Sequence, residues 1–166
     1  MFAEMDRIAR EEFKRDSPFW AYYLAVGLEQ VKQGLSLEWG LRCVARLLPA
    51  SGCPSLKQLE VDVDNLASWL HAEPTDAVYH AELAREIWYR PGLALDLAPQ
   101  RAISQLYAGY ALYRKQSRSH PHAVCASITN FLRGDSAWKE KRGELFDLTV
   151  EIYQQLVSEH VNPSHG

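Results

Sequence analysis

Ser55-Leu-Lys-Gln-Leu-Glu-Val-Asp-Val-Asp-Asn-Leu-Ala-Ser-Trp-Leu70 sets Leu56, Leu59, Val63, Leu66 and Leu70 at alternating steps of three and four residues. That spacing gathers the five side chains on one side of an α-helix, where a second helix can bury them. Glu60, Asp62 and Asp64 fall between them and read as the solvated face of the same helix. Similar stripes lie on both sides of this segment. Met5, Ile8 and Phe13 mark a first helix over 3–15. Trp20, Tyr23, Leu24, Leu28 and Val31 mark a second, which Ser17-Pro18 opens and Gly34 stops. Ser36 is placed to cap a third, carrying Leu37, Leu41, Val44 and Leu48 inward.

Beyond Leu70, Pro74 marks an end. Thr75 or Asp76 then caps a helix with Ala77, Ala81, Ala84 and Trp88 on one side, closed by Pro91-Gly92. Pro99 stands in the first turn of a helix striped by Ile103, Leu106, Tyr110 and Tyr113. Pro121 starts one with Val124, Ile128 and Phe131, and Ser136 caps a long last helix through Leu145, Leu148, Ile152 and Leu156. No run alternates with strand period around an Asn-Gly or Asp-Gly turn. The expected fold is all-α, with about eight helices joined by short loops into antiparallel hairpins. Hairpin starts near Ser17, Ser55, Ala98 and Ser136 are spaced by roughly 40 residues, which raises a short HEAT-like stack as the alternative. Aromatic residues in every hairpin favour a shared centre, and so a compact helical bundle. One domain over 1–161 with a C-terminal tail at 162–166 is expected.

Composition narrows the function. The chain has 166 residues, 47% of them hydrophobic, enough to build a core. A formal charge of −3 and a pI near 6.1 give no long-range attraction for nucleic acid or anionic lipid. No apolar run reaches membrane-spanning length, and Met1 to Asp16 lacks the apolar centre of a signal peptide. Three cysteines, Cys43, Cys53 and Cys125, form no disulfide framework and suit a reducing compartment. A cytoplasmic protein is expected.

Catalytic and metal motifs are incomplete. His120, His122 and Cys125 form an H-x-H-x-x-C cluster at a helix start, the best candidates for a metal, but a fourth ligand is missing and no metal or other cofactor is expected. Cys125 lacks an orienting partner for nucleophilic work. His71, Glu73, His80 and Glu82 surround Pro74 without zincin or deaminase spacing and read as a solvated turn and helix face. Gly27, Gly40, Gly109 and Gly143 stand singly inside helices and read as packing positions, with no phosphate loop among them. No catalytic constellation emerges, so an enzyme is not expected.

The aromatic clusters carry more. Trp20, Tyr22 and Tyr23 span more than one helix face, and Trp88, Tyr89 and Arg90 crowd a helix end. Some members must fall outside the core, and Trp, Tyr and Arg are the residues enriched at binding hot spots. Trp88, Tyr89, Arg90, Trp20 and Tyr22 are therefore the candidate protein-binding residues.

The run Leu66-Ala-Ser-Trp69-Leu-His-Ala-Glu-Pro74-Thr-Asp76, followed by Ala77, Ala81 and Ala84, resembles a junction found in small helical bacterial proteins of unknown function and in helical immunity proteins of polymorphic toxin systems. Ser36 to Cys43 and Gln105 to Tyr110 fit the same layout. The resemblance implies a bacterial immunity or secretion-system accessory protein that works by holding a protein partner, such as a toxin or a secretion component, and it transfers no catalytic residue. A homo-oligomer is compatible with this. The alternative is a helical sensor or regulatory domain whose aromatic residues line a small-molecule pocket.

Overall fold

The computed structural model describes residues 2–51, 56–70, 77–91, 97–132 and 140–161. Their elements are α1 (Phe2–Lys14), α2 (Phe19–Val31), α3 (Leu35–Leu47), a 3-10 turn (Leu48–Ser51), α4 (Leu56–Leu70), α5 (Ala77–Tyr89), α6 (Ala98–Arg114), α7 (His120–Leu132) and α8 (Arg142–Val161). No strand occurs among the described residues. The fold is all-α and compact.

α3 decides between bundle and stack. Nine of its thirteen residues are buried, including Trp39, Leu41, Cys43 and Val44, because α2, α4, α6, α7 and α8 all pack around it. A stack of hairpins would join each helix mainly to its sequence neighbours. Here α3 meets α8, where the Trp39 indole donates to the Thr149 carbonyl at 2.9 Å across 110 residues of sequence. Buried residues from all eight described helices, Ala9 in α1 through Leu156 in α8, form one core. α6 and α7 make a tight hairpin, whereas α5 packs chiefly on α6. The spacing that suggested four equal hairpins marks helix boundaries without marking packing partners.

Local signals act much as the sequence implies, with exceptions. The Ser17 hydroxyl accepts from the Phe19 amide at 3.3 Å and opens α2. Ser36 is no cap: it lies inside the first turn of α3, and the cap position belongs to Gly34 at φ 87°. The last helix begins only at Arg142, after a turn at Lys141. Ser55, Thr75, Asp76 and Ser136 lie outside the described residues, as do His71, Glu73 and Cys53.

Gly27, Gly40 and Gly109 sit at close helix crossings, where an added Cβ would meet Tyr153 at 3.1 Å, Leu106 and Val124 at 2.8 Å, and Ala123 and Leu37 at 3.2 Å respectively. Gly143 faces open space, so packing does not explain it. Among the described residues, no helix is long and apolar enough to cross a membrane.

Candidate functional site

Glu29 lies in the last turn of α2, and its carboxylate reaches the start of α3. Its Oε1 accepts from the Gly34 amide and its Oε2 from the Ser36 amide, each at 2.9 Å. These are free first-turn donors, so Glu29 caps α3 from the preceding helix. Gly34 makes the approach feasible: it has left-handed backbone, and a Cβ there would lie 2.9 Å from the Tyr113 ring. The same Glu29 Oε1 also meets His120 Nε2 at 2.6 Å, with the two side chains 16% and 4% exposed. His120 Nδ1 lies 3.1 Å from the Ser117 carbonyl. The Ser117 carbonyl only accepts, and so does Glu29 while it is ionised, so opposite the carboxylate both ring nitrogens donate and His120 is an imidazolium. Burial by itself would raise the Glu29 pKa, but the bonds from His120, Gly34 and Ser36 outweigh it and leave it lowered. Burial would likewise lower His120, and the bonds to Glu29 and Ser117 leave it raised.

This clasp floors a cavity of about 440 Å³ between α2 and the start of α7, also lined by Tyr22, Gln30, Arg118 and His122. Tyr22 and His122 stack with ring centroids 4.9 Å apart and planes 19° from parallel. The metal candidates do not converge. Both His120 nitrogens are occupied, His122 is exposed against Tyr22, and the Cys125 thiol lies half-buried 3.7 Å from the Pro18 carbonyl. No group of three metal-ligating side chains forms among the described residues.

The Trp88, Tyr89, Arg90 cluster divides three ways. Tyr89 is 75% exposed. Trp88 is half-buried beneath the Arg101 guanidinium, 5.0 Å from the ring centroid, and lines a shallow groove of about 350 Å³ between α5 and α6. Arg90 is not a free anchor, because it pairs with Asp62 of α4 at 2.7 Å. That pairing also corrects the reading of Asp62 as solvated, since the residue is 6% exposed. Gln100 completes this corner by donating to the carbonyls of Ile87 and Arg90, each at 2.8 Å, which closes the C-terminal end of α5. Replacing Asp62 with alanine is expected to cost about 2 kcal/mol, because it strands a half-buried guanidinium. Urea unfolding measures it, and a loss below about 0.5 kcal/mol, the usual effect at a plain surface site, would contradict this role.

Trp20 is no surface anchor either. It is 2% exposed and packs edge-on against Phe146, 5.0 Å between ring centroids, at the meeting of α1, α2 and α8. Tyr22, one position past Ala21, is the member of that cluster that reaches the cavity. His80, expected on a solvated face, is 1% exposed among Trp69 and Tyr110 at 4.6 and 4.8 Å. Tyr107 and Tyr110 are core residues, as their helical period implies.

α5 presents what these corrections leave. Val78, Glu82, Arg85 and Tyr89 recur along one stripe, all exposed, with Tyr79 half-exposed beside them. Tyr89 is legible in the sequence and so is Tyr79, two positions before Ala81 and therefore across the helix from the alanine stripe, whereas Val78, three before Ala81, borders that stripe and gives no outward signal. Glu29 is also missed, because its partners come from other helices. Comparison with family models, with curated proteins and with solved structures finds no match.

Proposed function

We propose that this chain is a non-enzymatic binding protein that docks a protein partner on the outward face of α5. The observation that carries the reading is the exposure of Val78, Tyr79 and Tyr89 at 55%, 50% and 75% on a helix that, among the described residues, packs chiefly against α6. Val78 and Tyr89 are eleven residues apart, so the stripe runs about 16 Å along the helix, a length suited to a partner's own helix or groove. Tyrosine contributes large contact area at little entropic cost, and Glu82 and Arg85 between the apolar ends supply a polar register. In its sharpest form the reading is a bacterial immunity or secretion-system accessory role, with a toxin or a secretion component as the partner. The resemblance of the Leu66–Asp76 junction supports that form.

Tyr89→Ala and Tyr79→Ala test it, because neither side chain is buried and both variants should fold. Each should weaken partner binding by about 1–3 kcal/mol, the range of a true hot spot, with the thermal midpoint unchanged. Affinity retained in both folded variants would remove α5 as the docking face.

A further inference from the structure

The cavity between α2 and α7 shares no lining residue with the exposed stripe of α5. Its volume of about 440 Å³ is in the range of small-molecule pockets. Its charges can be summed from geometry. Glu29 and the doubly donating His120 cancel each other at the floor. Arg118 lines the cavity from the turn before α7, is exposed, and has no ion-pair partner among the described residues. The lining therefore carries one uncompensated positive charge. Beside it Tyr22 and His122 lie nearly parallel, one over the other, so the pair offers an outer ring face for a third ring to stack on, and Gln30 and Gln33 add neutral amides. A guanidinium recognises a carboxylate through paired hydrogen bonds, and an outer ring face favours a planar ring.

We propose that this cavity binds a small planar aromatic monoanion, an aryl carboxylate, with its ring extending the Tyr22–His122 stack and its carboxylate on Arg118. A dianion would leave one charge unmatched at the rim. A cation would face Arg118 directly. A neutral arene would forgo the charge-assisted bond. The clasp below keeps the floor neutral, so the anion meets no net repulsion from Glu29. This site is independent of partner docking on α5.

Calorimetric titration of the purified full chain with 2-naphthoate, indole-3-carboxylate and the uncharged isostere 2-naphthamide tests the assignment. At least one carboxylate should bind saturably at one per chain, and 2-naphthamide should bind about tenfold more weakly for lack of the charge-assisted bond. Arg118→Gln, an exposed position whose change leaves the core untouched, should bring the carboxylate down to the level of the amide without altering amide binding. Tyr22→Leu should weaken both ligands. Tyr89→Ala should bind the carboxylate as the parent chain does, which separates this site from the α5 reading. Absence of saturable binding by either carboxylate, or equal carboxylate binding by the parent chain and Arg118→Gln, would overturn the proposal.

Discussion

Replacing Glu29 with glutamine is expected to destabilise the fold by about 2–4 kcal/mol, since the change leaves the mostly buried His120 imidazolium without its counter-charge and weakens the cap of α3. The carboxylate holds three helices at one point: it belongs to α2, accepts from two amides at the start of α3, and pairs with the first residue of α7. Glutamine keeps the size and one acceptor oxygen, but it carries no charge. The pH dependence follows from the two shifts. His120 is raised above its ordinary 6.5, so its share of stability is complete below 6.5 and is lost as the pH rises through the folded value. Glu29 is lowered from its ordinary 4.5, so its share is complete above 4.5 and is lost as the pH falls through the folded value. The clasp thus contributes fully between 4.5 and 6.5. Urea unfolding of the parent chain from pH 5 upward to pH 9 should show a decline that Glu29→Gln lacks. Parallel profiles for the two proteins would contradict the clasp.

Gly40→Val is expected to cost about 3 kcal/mol, at the upper end of what overpacking usually costs. Gly40 lies where α3 crosses α6 and α7, and even a Cβ there would come within 2.8 Å of both Leu106 Cδ2 and Val124 Cγ1. Leucine can swing its terminal methyl aside, whereas Val124 is β-branched and stiff, so the backbones must separate. Gly143→Ala is the control. Nothing stands within 4 Å of its added methyl, and alanine is the better helix former by up to about 1 kcal/mol. Equal unfolding midpoints for Gly40→Val and the parent chain would show that the three helices are not in close contact at this point.

The helices were legible because their signals are local. Three-and-four spacing, Ser17-Pro18 and Gly34 each act within a turn or two of the residues they organise, and a single sequence contains all of that information. Packing partners were not legible. Asp62 borders the apolar stripe of its own helix, three residues after Leu59 and four before Leu66, but its charge reads as solvated until Arg90, 28 residues away, pairs with it. His80 likewise looks solvated until Trp69 and Tyr110 close over it. Glu29 is one acidic residue among many, and only the approach of His120, 91 residues later, gives it a role. Trp20 and Tyr22 show the same limit at close range. Periodicity sets Trp20 on the stripe of Leu24 and Leu28 and Tyr22 off it, but it does not show that Phe146 on α8 covers the one or that His122 stacks on the other.

Site-specific photo-crosslinking in native cells tests whether the proposed partner docks on α5. A photoreactive residue at position 82 or 89, within the exposed stripe, should capture one and the same protein, identified by mass spectrometry. The same residue at the exposed position Glu151 of α8 should not capture it, and Tyr79→Ala should reduce the yield at both stripe positions. Capture of that protein equally well from position 151, or from neither stripe position, would contradict docking on α5.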